Sequence, residues 1–327
     1  MTKYFDIYGF VIKVEGPAIA SFYREYHRFE IKRPKKPNME VIPVNEIDRP
    51  FVISPIGSEK GIFIDFENKK IFYQHGISGD FVLYHIEPLL QWPNKILVHA
   101  GAVEKDGHAI LFPAAGGVGK TSIVMSLSKK GFRYLGDDWV IMGADGKAFP
   151  FFKTMHIFDY NLSDIKLSKK VLGKKYFMYK IYFGIINFFL QNIENRNIRF
   201  VLNKLKGDFK VDVKRVFDEN LGKTSEIKTV FWLKSDNRIS KPTIKKANRE
   251  ELSKQISYVI SYEHNHFFKD YLRYAYFYGS IKNIEEMASK TQRILRTALR
   301  KADVYEVQVP KKINSEEVYD LIQKFIS

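Results

Sequence analysis

Through the first 95 residues, apolar positions fall in short runs with the spacing of strands. Tyr4–Val14 is rich in Tyr, Phe, Ile and Val, and Gly61–Phe66 and Lys70–Gln74 flank Glu67-Asn68-Lys69, which predicts a hairpin. Ile31–Asn38, basic and with two prolines, reads as a loop, and Phe81–Trp92 as a short helix stopped by Pro93. The middle of the chain changes character. His108–Pro113 is an apolar run suited to a buried strand, and Ser122–Lys130 has helical spacing with Gly131 as its stop. Phe132–Leu135 and Trp139–Met142 are strand-like around Gly136-Asp137-Asp138. Strand, Gly-rich loop, helix and strand open an α/β nucleotide-binding unit. Beyond Pro150, Leu162–Leu205 reads as helical, basic and aromatic, Thr229–Leu233 as a strand and Arg249–Asp270 as a helix. Tyr271–Gly279 is dense in Tyr and Phe, Ile281–Lys301 is an amphipathic helix, Val304–Val309 a strand and Glu316–Ile326 a closing helix. The expectation is an α/β protein with a β-rich N-terminal domain over 1–95 and a nucleotide-binding domain over 96–327, the latter carrying a helical insertion near 162–215.

Composition narrows the chemistry. With 45% hydrophobic and 15% aromatic residues, the 327-residue chain has material for a sizeable core. It contains no cysteine, which removes disulfides, thiolate nucleophiles and Cys-type metal sites. The N-terminus lacks an apolar h-region ahead of a cleavage site, and Tyr176–Leu190, interrupted by Lys180 and Asn187, falls short of a spanning helix, so the expected location is cytoplasmic.

The net charge of +16 is uneven. Between Ile165 and Arg215 stand 13 Lys/Arg against three acids, Glu194, Asp208 and Asp212, a surplus of ten. Seven Tyr/Phe lie within Tyr176–Phe189. Such a segment suits an anionic or partly apolar acceptor or a membrane surface, although an aromatic stripe at helical spacing is more often core. No RNA- or DNA-binding motif accompanies it.

Ala114-Ala115-Gly116-Gly117-Val118-Gly119-Lys120-Thr121 fits the phosphate-binding loop with Ala in its first position, and Ser122 follows it. Glycines let successive amides point into one concavity, Lys120 reaches the β- and γ-phosphates, and Thr121 offers its hydroxyl to Mg²⁺. The ligand expected from the motif is therefore a nucleotide with Mg²⁺, held by Ala115 to Ser122. Asp137 and Asp138 come 17 and 18 residues after Lys120, where the next strand returns beside the loop. One carboxylate there can hold Mg²⁺ with Thr121 while its neighbour accepts a proton from an attacking hydroxyl; the spacing does not separate the two roles.

These residues together resemble the HPr kinase/phosphorylase-like family, within the wider group that includes ATP-dependent phosphoenolpyruvate carboxykinase. The resemblance runs through His99-Ala100-Gly101-Ala102-Val103, His108–Pro113, Ala114–Thr121 and Gly131 to Val140, about 50 residues with every spacing kept. Phe149–Leu162 also looks like the stretch after the Asp pair in uncharacterised relatives. The resemblance implies a phosphoenolpyruvate carboxykinase-like P-loop core and a kinase in which Asp137 and Asp138 are base and metal partner. It places His99 beside the phosphates and has Lys120 and Thr121 hold Mg-ATP. The acid-plus-Arg signature of HPr kinases proper is not found in 143–230, where Lys153 and His156 stand. The acceptor is left open among serine in a peptide, a protein or a small molecule, as is a homo-oligomer. Two other classes stay open at this point: a nucleotide-dependent ATPase or switch without acceptor, and a membrane-surface protein using the basic aromatic segment.

Overall fold

The computed structural model describes residues 1–157, 165–206, 209–311 and 313–326. The chain is α/β and folds as two compact units, one of 1–152 with 222–327 and one of 153–221. The first unit begins with β1 (Thr2–Ile7) and β2 (Phe10–Glu15). The strand-forming run Tyr4–Val14 is thus a hairpin. Tyr8 at φ 51° and Gly9 at φ 92° make the turn, with Asp6 Oδ1 accepting the Gly9 N–H at 2.7 Å. There follow α1 (Ile19–Tyr26), β3 (Glu30–Ile31), β4 (Met39–Val44), β5 (Ile62–Asp65), β6 (Lys70–Gln74) and α2 (Gly79–Tyr84). The six strands form one sheet in the order β3-β1-β2-β4-β6-β5, with β2, β4 and β6 mutually parallel. The expected hairpin is β5–β6, which pairs Ile64 with Ile71. The helix expected over 81–92 ends at Tyr84, and a 3₁₀ turn over Glu87–Leu89 replaces the rest, since Pro88 has no amide to continue it.

The loop region builds on β7 (Lys95–Val98), β8 (Ala100–Lys105), β9 (His108–Pro113), α3 (Lys120–Lys129), β10 (Arg133–Gly136), β11 (Val140–Gly143) and β12 (Lys147–Phe149). The second unit holds β13 (Met155–Ile157), α4 (Ile165–Leu172), α5 (Tyr176–Asn192), α6 (Arg196–Lys206), β14 (Phe209–Val211) and α7 (Val213–Phe217). Its strands β13 and β14 pair with each other, Met155 opposite Val211. The sequence expectation for 158–162 lies outside the described residues. The first unit resumes with β15 (Ser225–Ser235), β16 (Thr243–Lys246), α8 (Arg249–Glu263), α9 (Asn265–Tyr278), α10 (Lys282–Glu285), α11 (Met287–Ala298), β17 (Asp303–Val309) and α12 (Ser315–Ile322).

A nine-stranded sheet runs β10-β8-β9-β15-β12-β11-β7, with β17 also beside β15 and β16 beyond β17. The loop strand β9 and β17 both lie parallel to β15. Successive residues of a strand face opposite sides, and β8 uses this fully. Ala100 and Ala102 join a core with Ile256 and Ile260 of α8 and Leu295 and Ala298 of α11. Gly101 faces α3 instead, and a Cβ built there would lie 2.8 Å from Val124 Cγ2 and 3.4 Å from Lys120 Cβ, so only glycine lets α3 sit this close. Phe112, Phe231 and Tyr305 form an aromatic ladder across β9, β15 and β17, with centroid separations of 5.6 Å at each step.

Arg249–Asp270, expected as one helix, is divided at His264. Leu252, Ile256 and Ile260 of α8 pack in the core of the nine-stranded sheet, whereas Phe267, Tyr271 and Tyr274 of α9 pack in that of the six-stranded sheet. One straight rod cannot serve both. The aromatic density of Tyr271–Gly279 is explained by the same packing, Tyr274 lying 4.9 Å from Phe66.

Candidate phosphate site

Three chain corners meet at one end of the nine-stranded sheet. The first is the loop leaving β9, the second is His99 between β7 and β8, and the third is Asp137-Asp138 between β10 and β11. Main-chain hydrogen bonds fasten them: Ala114 N–H donates to His99 C=O at 3.3 Å, and Ala100 N–H donates to Asp138 C=O at 3.1 Å. Asp138 adopts a left-handed φ of 65°, unusual outside glycine, and the preceding Gly136 has no room for a side chain, since a Cβ would fall 2.5 Å from the Trp139 carbonyl.

The structure brings the site residues expected from sequence together at this end of the sheet. Ala115, Gly116, Gly117, Val118 and Gly119 form the loop, Gly117 and Gly119 at φ 75° and 93°, and Lys120, Thr121 and Ser122 make the first turn of α3. No acidic residue stands in that turn, so its amides and the helix dipole favour an anion. Lys120 is buried and donates to the carbonyls of Ala115 at 3.1 Å and Ala114 at 3.4 Å. Burial lowers its pKa, against the opposing pull of Asp138, Asp137 and Glu263.

Thr121 Oγ1 donates to Asp137 Oδ2 at 2.7 Å. The other oxygen of Asp137, Oδ1, is buried and has no hydrogen-bond partner. Burial, and then the charge of Asp138, push the Asp137 carboxyl up to about 7. Asp138 itself is open to solvent, its side chain 44% exposed, with Oδ1 4.0 Å from His99 Nε2. His99 is buried; that burial, then the neighbouring Lys120, lower its pKa to about 4, so the imidazole is neutral at pH 7.

An orphaned carboxylate oxygen beside a hydroxyl suits a divalent cation. Among the described residues no cluster of three or more His, Asp or Glu encloses a metal. Mg²⁺ needs no such cage, because it keeps several waters and is held by one or two carboxylates together with substrate phosphates. The donor set of Thr121 and Asp137, with Asp138 beside it, is compatible with Mg²⁺.

Two residues were missed. Glu263, at the end of α8, accepts the Gly116 N–H on Oε1 at 3.2 Å, and the same oxygen lies 3.3 Å from His99 Nδ1 without the alignment of a hydrogen bond. His264 follows it, buried and stacked on Trp139 at 4.7 Å and 14°, while Trp139 lies 5.1 Å from the His99 ring. Burial, then His266 and His99, push the His264 pKa down to about 3. Neither residue carries a sequence signal, because the bend between α8 and α9 places Glu263 at the loop and His264 on Trp139.

No protein-family model matches this sequence, and no curated protein matches it. Among solved structures, the chain is similar to the Hpr(Ser) kinase/phosphatase from Coxiella burnetii, with 9% identity and a TM-score of 0.30, over 70% of this chain and 95% of that chain. Identity and score at this level leave the functional reading to the site itself.

Proposed function

We propose that this chain is a kinase that transfers the γ-phosphoryl group of Mg-ATP to a hydroxyl acceptor, with serine in a peptide, protein or small molecule as the acceptor class and a phosphoenolpyruvate carboxykinase-like P-loop core as its framework. The observation that carries the reading is the Thr121–Asp137 hydrogen bond at 2.7 Å, which ties the loop's metal-binding hydroxyl to a carboxylate pair at the mouth of the same loop. A glycine-rich turn without function has no need of two aspartates there, one of them held buried at a desolvation cost.

The side chains divide the work by position. Asp137, buried and bonded to Thr121, stands on the metal side, and Thr121 and Asp137 would hold Mg²⁺, which would supply charge neutralisation for the phosphates. Asp138, solvent-facing, is placed to take the proton of the acceptor hydroxyl. The freed oxygen forms a bond to the γ-phosphorus as the bond to the β–γ bridging oxygen breaks, and ADP departs with that electron pair. Lys120 leaves its loop carbonyls to meet the β- and γ-phosphates. His99, kept neutral, stands on the phosphate side without adding charge.

The test is incubation of the protein with γ-labelled ATP and Mg²⁺ against free serine, related small alcohols and Ser-containing peptides. Label in an acceptor supports the kinase. Label released only as inorganic phosphate, at a rate no acceptor changes, would assign the site to an ATPase or switch.

A further inference from the structure

We infer that α5 docks the second unit onto an anionic lipid bilayer surface, lying in the plane of the interface. This rests on no reading of the phosphate site. Sequence reasoning weighed the aromatic stripe of Tyr176–Phe189 chiefly as core, and the structure corrects that: of the whole helix Tyr176–Asn192 only Phe183 and Ile186 are buried. Phe177, Met178, Ile181, Ile185, Phe188 and Phe189 stand exposed, Phe177 at 70% and Phe188 at 62%. Phe177, Ile181, Ile185 and Phe188 follow helical spacing, and Met178 and Phe189 lie beside them, so the outward face is broad and apolar. A large exposed apolar face marks an interaction site.

Charge selects the occupant. Residues 165–206 contain ten Lys/Arg and one acid, Glu194. Lys174, Lys175 and Lys180 are exposed on or beside α5, and none has a carboxylate partner among the described residues. Long lysine stems beside an apolar face let the ammonium groups reach lipid phosphates while the rings enter the acyl boundary. A second copy of this chain would bring the same positive surplus against it. The helix lies on the surface rather than crossing: its 17 residues span about 25 Å at 1.5 Å per residue, short of the roughly 30 Å hydrocarbon core. No helix among the described residues is long and apolar enough to cross a membrane. Lys170, basic and close by, belongs to the fold instead. Its Nζ donates to the Val216 carbonyl at 2.8 Å and pairs with Asp218 at 2.5 Å, and Arg215 Nε donates to its carbonyl at 2.9 Å.

The experiment is co-sedimentation of the full chain with vesicles of phosphatidylcholine, with and without phosphatidylglycerol, at low and high salt. The expected result is binding to the anionic vesicles, weakened by salt. Two exposed-face variants, Phe177→Ser/Ile181→Ser/Phe188→Ser and Lys174→Gln/Lys175→Gln/Lys180→Gln, should each lose about tenfold or more in vesicle affinity while the circular dichroism spectrum and thermal midpoint stay at wild-type values. Several outcomes would overturn the inference. Absence of sedimentation with both vesicles would do so, as would binding that the apolar-face variant leaves unchanged. A concentration-dependent dimer that the same variant dissolves would assign the face to a second copy. Tighter capture of single-stranded RNA than of anionic vesicles would assign it to nucleic acid.

Discussion

The carboxylate of Glu263 caps the amide of Gly116 at 3.2 Å, joining residues 147 positions apart. In a phosphate-binding loop that amide is one of the donors meant for a phosphate oxygen. On the proposed function, Glu263 stands where the nucleotide's negative charge would come and would have to yield. Glu263→Gln is expected to tighten Mg-ATP binding about fivefold, the equivalent of about 1 kcal/mol of relieved repulsion. Calorimetry with a non-hydrolysable analogue reads this directly. Equal or weaker binding would show instead that the carboxylate assists the nucleotide.

Lys120→Ala removes the charge aimed at the β- and γ-phosphates. Nucleotide affinity or turnover should fall by about an order of magnitude or more. Wild-type values of both would remove the loop from the account.

Gly101→Ala tests the packing that carries α3 to the site. The added methyl meets Val124 Cγ2 at 2.8 Å, and overpacking of this kind costs about 1–3 kcal/mol. A lowered thermal midpoint together with weaker nucleotide binding is expected. A lowered midpoint alone would separate fold from site.

The buried imidazoles predict a signed pH dependence in the nucleotide-free protein. His99 and His264 have folded pKa values near 4 and 3, below the usual 6.5. The unfolded chain therefore takes up their protons first, and stability falls as pH drops from about 6.5, by about 2–3 kcal/mol for each by about pH 4.5. Asp137 acts in the opposite direction. With its folded pKa raised to about 7, it gains stability as pH falls from 7 towards 3.8. In thermal melts between pH 7.5 and 4.5, His264→Asn should flatten the acid-side loss and Asp137→Asn should steepen it. Parallel curves for all three proteins would contradict these environments.

The local part of the site was legible from sequence and the long-range part was not. Ala114–Thr121 and Asp137-Asp138 could be read because loop chemistry fixes both residue types and spacing within one strand–loop–helix–strand unit. Glu263 and His264 could not, since their place depends on α8 and α9 diverging to serve two separate cores. Helical periodicity across 249–278 runs on through that divergence without a break, with no proline to mark it. The hairpin at Tyr8-Gly9 was hidden for a related reason, as a bulky tyrosine in the left-handed region is a poor turn signal. Aromatic density misled in α5, where periodicity shows that a face exists without showing what covers it.

The most direct test of phosphoryl transfer by the aspartate pair is a paired measurement on Asp138→Asn: analogue affinity by calorimetry and single-turnover transfer from γ-labelled ATP to the best acceptor. The account predicts affinity within a few-fold of wild type and transfer reduced by roughly 10²-fold or more, the usual scale for loss of a general base. Transfer at the wild-type rate would contradict it, and so would a fall in transfer matched by an equal fall in nucleotide affinity.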